Sequence, residues 1–151
     1  IKPLHAESYY NLGVVYGKLG MYQKAIEACK QAIRIKPDYA QAHDNLGCSY
    51  QSLGMFRDAI NAHKQAIRIK PDYARAYLNL GSAYGELGMH QEAIDAFKQA
   101  IRIEPDFAEV HYNLGYAYLI THNRGLALKE YGILKELDRD LAERLFTLIY
   151  R

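Results

Sequence analysis

The four prolines of the chain stand at a constant separation. They occupy positions 3, 37, 71 and 105, so each follows the previous one after 34 residues. When the sequence is cut at this period, four blocks align without gaps, at residues 6–39, 40–73, 74–107 and 108–141. The second and third blocks are identical at 20 of their 34 positions. A regular repeat of this length predicts an array in which each unit packs against its sequence neighbours.

Each block predicts two helices. In the second block, apolar and aromatic side chains recur at helical spacing over residues 40–53 and again over residues 57–70. A Leu-Gly pair separates the two segments in the first three blocks, and its glycine supplies the left-handed residue that ends a helix. Proline follows the second segment and cannot continue a helix. In the fourth block the Leu-Gly pair is missing, and residues 122–125 are expected to form an irregular turn.

Small residues recur where the two helices of a block must meet. Glycine stands in the middle of the first helix at positions 13, 47, 81 and 115, where it costs about 1 kcal/mol relative to alanine. Alanine stands in the second helix at positions 25, 59, 93 and 127. A cost that is repeated in every block indicates close packing of glycine against alanine. Tyrosines at 16, 50, 84 and 118 are then expected to fill the space between blocks.

These residues resemble the tetratricopeptide repeat family, whose pattern is an aromatic residue, Leu-Gly, Tyr, Ala, a second aromatic residue, Ala and Pro. The third block matches it throughout, with Tyr77, Leu80, Gly81, Tyr84, Ala93, Phe97, Ala100 and Pro105. Other blocks depart from it, with His43 and His111 in the first aromatic slot, Cys29 and His63 in the second, and Leu134 and Arg139 in place of Ala and Pro. The resemblance implies an all-α fold, in which the helix pairs stack into an α-solenoid that winds as a right-handed superhelix.

The solenoid is expected to hold four helix-turn-helix repeats and a C-terminal capping helix. Residues 1–5 match the end of a repeat, because Ile-Lys-Pro at 1–3 recurs at 35–37, so they are interpreted as the end of a truncated preceding repeat. Residues 108–141 form a degenerate fourth repeat. Residues 142–151 are expected to be the cap, with Leu145, Leu148 and Ile149 packed inward.

The resemblance implies that the first helices line a concave groove, and one position in that groove carries the same side chain in every block. Asn11, Asn45, Asn79 and Asn113 form this asparagine ladder. A carboxamide both donates and accepts hydrogen bonds, so the ladder could hold the backbone of an extended peptide. A similar ladder is found in the repeat region of O-GlcNAc transferases. The alternative is that each asparagine bonds to a neighbouring helix.

Other candidate peptide contacts vary between the blocks and would set specificity. They are Tyr10, Asp44, Arg75, Tyr112 and Tyr116. Tyr116 belongs to an apolar patch with Leu119 and Ile120, which the capping helix is expected to cover. Family members that clamp the C-terminal carboxylates of chaperones use Lys and Arg on the first helices. Arg75 alone is basic at these positions, so a ligand of that kind is not expected.

The sequence contains no motif that is typical of catalysis or of cofactor binding. The six histidines show no short metal-ligand spacing, and no glycine-rich phosphate loop is present. We therefore expect no enzyme activity, no cofactor and no metal site. His43 and His111 are interpreted as core residues, and Cys48 as a groove thiol able to react. The Lys and Arg of the second helices alternate with acidic residues, which favours a solvated face over a nucleic-acid site. No apolar run is long enough for membrane insertion.

The function predicted from these patterns is a non-catalytic interaction scaffold that binds a protein or extended peptide ligand in its concave groove. Two alternatives remain open. The chain could be the targeting region of a larger enzyme, such as a glycosyltransferase with an N-terminal repeat array, or a scaffold that self-associates through its repeat ends. The lack of a leader sequence and of a disulfide framework favours the cytoplasm.

Overall fold

The computed structural model describes residues 5–151, in which there are nine α-helices and no strand. The helices are α1 (Ala6–Lys18), α2 (Tyr22–Ile35), α3 (Ala40–Ser52), α4 (Phe56–Ile69), α5 (Ala74–Glu86), α6 (His90–Ile103), α7 (Ala108–Ile120), α8 (Arg124–Leu137) and α9 (Arg139–Ile149). Apart from His5, the segment interpreted as the end of a preceding repeat lies outside the described residues. No helix within them combines the length and apolarity needed to cross a membrane.

The helices pack in the order of the sequence, which confirms the predicted all-α solenoid. Each first helix packs against the second helix of its own repeat, and each second helix packs against the next first helix. Neighbouring first helices also contact one another, whereas the second helices of residues 5–151 do not. The first helices α1, α3, α5 and α7 therefore form an inner row, and the second helices spread apart on the outer side.

The glycine in the middle of each first helix allows the closest approach between helices. A methyl group on Gly47 would lie 2.5 Å from the His63 ring, and one on Gly81 would lie 2.5 Å from the Phe97 ring. Gly13 meets Cys29 in the same way, at 2.8 Å from Sγ. The expectation that these glycines face the recurring alanines is met at Gly13, where the added methyl group would lie 3.4 Å from the Ala25 oxygen, but in all three repeats the nearest atoms belong to the side chain in the second aromatic slot.

Within residues 5–151 the core forms three clusters that follow one another along the array. Ile26, Cys29, Leu46 and Ala62 form the first, and Ala59, Ile60, Leu80, Ala83 and Ala96 the second. The third is the largest and includes α9. Tyr50 packs against the first two clusters and Tyr84 against the last two. Tyr50 and Tyr84 therefore join adjacent repeats, as the sequence predicts for these two tyrosines.

The turn inside each repeat depends on one residue with left-handed backbone. Gly20, Gly54 and Gly88 have φ values of 71°, 72° and 72°. In the fourth repeat His122 takes this place with φ 61°, and Asn123 Nδ2 donates a hydrogen bond to the backbone oxygen of Thr121 at 3.1 Å. The turn expected to be irregular therefore keeps the geometry of the others, with a non-glycine residue in a strained conformation.

The capping helix begins three residues earlier than the sequence analysis places it. It starts at Arg139, because the Asp138 side chain accepts a hydrogen bond from the Leu141 backbone nitrogen at 3.1 Å and caps the helix. Leu145 and Ile149 are buried, and Leu148 is half-buried. Helix α9 contacts both α7 and α8, so it packs where the first helix of a further repeat would pack.

We predict opposite effects for alanine at two glycines of α5. Gly81→Ala should lower the free energy of unfolding by about 1–3 kcal/mol, because the new methyl group overlaps the Phe97 ring. Gly85→Ala is the matched control, since nothing lies within 4 Å of its added methyl group. It should raise stability by about 0.5–1 kcal/mol through helix propensity. Urea unfolding followed by circular dichroism measures both, and equal effects would contradict the close-packing role of Gly81.

Replacing the strained residue of the fourth turn should stabilise the protein. His122→Gly relieves a left-handed conformation that costs about 1–2 kcal/mol, while the added freedom of the unfolded chain takes back about 0.5–1 kcal/mol. We expect a net gain of about 0.5–1 kcal/mol in chemical unfolding. Asn123→Gly is the control and should destabilise, because φ at Asn123 is −96°. If Asn123→Gly also raised the free energy of unfolding, the gain would come from the turn as a whole and not from the relief of strain at His122.

Candidate functional site

Two pockets of the inner row are built from equivalent residues. The first lies between α1 and α3, and the second between α5 and α7. Every residue lining the first has its counterpart 68 positions later in the second, and the pairs are Val14/Ser82, Gly17/Gly85, Lys18/Glu86, Tyr22/His90, Asn45/Asn113, Cys48/Tyr116, Ser49/Ala117 and Ser52/Ile120. The repeat thus presents the same concavity twice, two repeats apart, with different chemistry.

The second repeat carries a larger side chain at the position where each of the two pockets is lined by glycine. Gly17 and Gly85 open the floor of the pockets, and Gln51 occupies their position in the second repeat. The Gln51 side chain is half-buried and lies 2.8 Å from the His63 ring. It therefore takes up space at a position where glycine leaves the pockets open.

The asparagine ladder lies on the inner row, but its members do not have equal surroundings. Asn45 Nδ2 donates to Cys29 Sγ at 3.3 Å. Asn79 Nδ2 donates to both carboxylate oxygens of Asp44, at 3.2 and 3.1 Å. Asn11 is exposed, while Asn45 and Asn113 are half-buried and line the two pockets. Asn45 and Asn79 thus bond to the preceding repeat, which was the alternative interpretation, while Asn45 also lines a pocket, as Asn113 does.

The placement of Asp44 in the groove was wrong. Only 5% of Asp44 is exposed, and its Oδ1 lies 2.7 Å from His63 Nδ1. The equivalent Leu78 of the third repeat is 1% exposed, so this position is interior in both repeats, and His63 gives the buried Asp44 carboxylate a hydrogen-bond partner that Phe97 could not offer. Asn79 also donates to Cys48 Sγ at 3.3 Å. Asp44, Cys48, Gln51, His63 and Asn79 form what we call the polar cluster.

The expectation of a reactive thiol at Cys48 is also wrong. Burial raises the pKa of Cys48 to about 12, and the negative charge of Asp44 adds to this effect. The thiol is therefore neutral near pH 7 and is a poor nucleophile. Sequence reasoning missed the cluster because three of its members are spread over two helices, with Cys48 lying 4 residues after Asp44 on α3 and 15 residues before His63 on α4. The available signal was that Asp44 and Cys48 are one helical turn apart, opposite a histidine in an aromatic slot.

The remaining candidates lie along the inner row with different degrees of exposure. Tyr10 stacks on Tyr39 with ring centroids 5.1 Å apart. Arg75 is exposed, and its Nη1 lies 3.0 Å from Glu109 Oε2. Tyr112 is half-buried, and the Arg144 guanidinium of the capping helix lies 4.8 Å from its ring centre. Tyr116 is 47% exposed and lines the second pocket. Tyr116 is therefore the most accessible aromatic candidate, and the other three side chains already have partners.

The apolar patch around Tyr116 is only partly covered by the capping helix. Leu119 packs against the core cluster that contains α9, whereas Ile120 is 37% exposed and lines the second pocket. The expectation that α9 covers both residues is therefore wrong for Ile120. Helix α9 contacts α7 on the side that carries Leu119, so Ile120 remains part of the groove surface.

The two histidines in the first aromatic slot make one common hydrogen bond. His43 Nε2 lies 2.9 Å from the Pro37 oxygen, and His111 Nε2 lies 2.6 Å from the Pro105 oxygen. Only His111 is buried as expected, since His43 is half-buried. His111 Nδ1 also lies 2.6 Å from Glu130 Oε2. Burial lowers the pKa of His111, but the bonds to Glu130 and to the Pro105 carbonyl outweigh it, so its pKa is raised.

This raised pKa predicts a pH-dependent contribution to stability. The folded state holds the His111 proton more tightly than the unfolded chain, whose ordinary value is 6.5. The stabilisation is therefore fully present below pH 6.5 and is lost as the pH rises through the folded pKa. The difference in thermal unfolding midpoint between wild type and His111→Tyr should shrink with rising pH. In a Glu130→Gln background, the effect of His111→Tyr on the unfolding midpoint should vary less with pH. If it varied as much as in the wild type, Glu130 would not be the cause of the raised pKa.

Comparisons with known proteins agree with this architecture. A tetratricopeptide repeat model matches residues 6–39 and 74–107, a TPR repeat model matches residues 49–88, and a further tetratricopeptide repeat model matches residues 96–138. The comparison with curated proteins finds no match.

Solved structures provide the second comparison. The crystal structure of MamA is 30% identical over 94% of this chain and 83% of that chain, with a TM-score of 0.85. A thermophilic TPR protein in Thermus thermophilus is 28% identical over 99% of this chain and 84% of its own, with a TM-score of 0.86. The APC/C hetero-tetramer Cut9–Hcn1 is 23% identical over 98% and 30%, with a TM-score of 0.88, which shows the fold alone. Together these matches support a protein–protein interaction scaffold.

Proposed function

The chain belongs to the tetratricopeptide repeat family, and we propose that it binds an extended segment of a partner protein along the inner row of α1, α3, α5 and α7. The observation that carries this proposal is the pair of equivalent pockets on that row. A surface that repeats the same concavity suits a ligand whose own geometry also repeats. An extended peptide has this property, because alternate side chains point to the same side.

The spacing of the pockets sets the length of the ligand. Packed helices lie roughly 8–10 Å apart, so two pockets separated by two first-helix spacings are roughly 16–20 Å apart. An extended chain advances about 3.3 Å per residue. The side chains that enter the two pockets are therefore about six residues apart in the bound segment, the even separation in this range that leaves both on the same side of the chain.

The chemistry of the pockets gives the ligand a direction. Lys18 lines the first pocket, and Glu86 holds the equivalent place in the second. The second pocket also exposes the apolar surfaces of Tyr116 and Ile120. A ligand with an acidic side chain toward α1, and a basic side chain with an apolar neighbour toward α7, would match both pockets. The reverse order would bring like charges together, which weakens binding.

The asparagines that line the pockets supply the contacts to the peptide backbone. Asn45 and Asn113 hold equivalent places in the two pocket walls. The Nδ2 of Asn45 is engaged by Cys29 Sγ, which leaves its Oδ1 to accept a hydrogen bond from a backbone N–H of the ligand. Asn79 is engaged with Asp44 and Cys48, so it contributes to the fold of the groove more than to the ligand.

We predict that peptides selected from a random display library against the whole chain will carry an acidic and a basic residue about six positions apart. Lys18→Glu combined with Glu86→Lys should reverse the order of the two charges among the selected peptides. Asn45→Ala with Asn113→Ala should weaken a selected peptide about tenfold or more, at about 1 kcal/mol per lost hydrogen bond. Fluorescence anisotropy with the labelled peptide measures the change in Kd. Asn11→Ala is the control and should leave the Kd unchanged.

Two results would contradict the proposal. Selected peptides that are insensitive to the charge reversal and to both asparagine replacements would place the binding surface elsewhere. The second result is self-association of the chain. That candidate is favoured by α1, where Leu12, Val15 and Leu19 are 40%, 50% and 67% exposed, and light scattering across protein concentrations distinguishes it from a monomer that binds peptide.

A further inference from the structure

The second repeat differs from its neighbours at four positions that meet in space. Three of its side chains can ligate metals and one is a carboxamide, whereas the third repeat has apolar or small side chains and one hydroxyl at the same places. The pairs are Asp44/Leu78, Cys48/Ser82, Gln51/Gly85 and His63/Phe97. In the fold all four residues of the second repeat belong to the polar cluster. The third repeat folds without them, so the helix pair does not require this chemistry.

The ligating atoms of Asp44, Cys48 and His63 lie within 4.8 Å of one another. Asp44 and Cys48 are one turn apart on α3, and His63 reaches them from α4. Because Gly47 has no side chain, the His63 ring sits directly against α3. The three donors are thus held by two packed helices rather than by a loop.

We propose that these three residues bind a divalent transition-metal ion of the Zn²⁺ type. A thiolate, an imidazole and a carboxylate form a mixed ligand set that Zn²⁺ accepts, whereas Mg²⁺ and Ca²⁺ prefer oxygen ligands. Tetrahedral bonds of about 2.0–2.3 Å place neighbouring ligand atoms roughly 3.3–3.6 Å apart. The separation of 2.7 Å between His63 Nδ1 and Asp44 Oδ1 must lengthen for the ion to enter, and small side-chain rotations provide this.

The residues around the three donors already orient them for coordination. The Oε1 of Gln51 can only accept, so His63 Nε2 carries the hydrogen of their 2.8 Å bond and Nδ1 is left as the ligand. Asn79 Nδ2 donates to the Asp44 carboxylate and to Cys48 Sγ. Hydrogen bonds of this kind hold ligands in place around protein-bound metals.

The site also has a path to solvent. Cys48 lines the pocket between α1 and α3 as well as belonging to the polar cluster. An ion can therefore enter from the groove side, and a water molecule there can complete a four-coordinate geometry. When the ion binds, the Cys48 Sγ proton and the proton that His63 Nδ1 shares with Asp44 pass to solvent. All three ligand atoms are then free of protons.

The test uses Co²⁺ as a spectroscopic probe on the whole chain after treatment with a chelator. One equivalent should produce a thiolate-to-cobalt charge-transfer band and the intense visible bands of a four-coordinate ion, and Zn²⁺ should remove both. Cys48→Ser copies Ser82 and should abolish the charge-transfer band and weaken Zn²⁺ binding by about 100-fold or more. Cys29→Ala is the matched control and should keep the band. Asn79→Ala should weaken binding by about 10–100-fold.

A second variant keeps the test valid if Cys48→Ser fails to fold. Asp44→Leu with His63→Phe copies the third repeat, should keep its helical circular dichroism, and should lose Co²⁺ and Zn²⁺ binding. A wild-type protein that gives no charge-transfer band would overturn the proposal and leave a purely hydrogen-bonded cluster. Loss of the band in Cys29→Ala, together with its persistence in Cys48→Ser, would overturn it as well.

Discussion

The close approach of the two helices within each repeat is the contact on which the rest of the structure depends. It is possible because Gly13, Gly47, Gly81 and Gly115 leave space that the side chain of a facing residue fills. The facing residue is Cys29, His63 or Phe97 in the first three repeats and Leu145 of α9 in the fourth. With this distance set, the inner row brings its first helices into contact and the outer helices diverge. The shape of the groove follows from this contact.

The residue that faces the glycine also decides the chemistry of its repeat. A phenylalanine makes the third repeat apolar at this place, whereas His63 pairs with a buried carboxylate, Asp44, at the position that Leu78 holds in the third repeat. In the fourth repeat, Leu145 takes the space, and Tyr131 instead packs against Phe146 with ring centroids 5.5 Å apart. One geometric constraint thus tolerates a thiol, an imidazole, a phenyl ring or an aliphatic chain, because it requires volume and does not require a particular polarity.

The elements predicted from the sequence are those that depend on local geometry. The period of the prolines and the Leu-Gly turns locate the helix pairs, because both act on the backbone within a few residues. The turn at His122 was misjudged, since a non-glycine residue can adopt the left-handed conformation when the packing of both helices imposes it. The start of α9 was misplaced because one carboxylate, Asp138, caps the helix.

The candidate site was only partly predictable, for a different reason. The ladder positions follow from the repeat and lie on the inner row as expected. The pairing of the Asp44 carboxylate depends on a ring 19 residues away, and no spacing rule connects a carboxylate on one helix to the slot of the next. The same holds for Cys48, whose two neighbours in the polar cluster come from α4 and α5. Long-range pairing of this kind is visible only in three dimensions.

The presence of Gln51 where Gly17 and Gly85 stand has a consequence for how the groove recognises a ligand. In the proposed mode of binding, Gln51 fills the middle position and the ligand occupies two separate pockets, which act as two subsites. The second subsite is then engaged at the effective concentration set by the chain that joins the two ligand side chains. If the peptide segment between the two ligand side chains is too short, the second side chain cannot reach its subsite. If the segment is too long, the effective concentration at the second subsite falls. The proposed mode of binding therefore makes selectivity depend on the distance between the two ligand side chains more than on the strength of either contact.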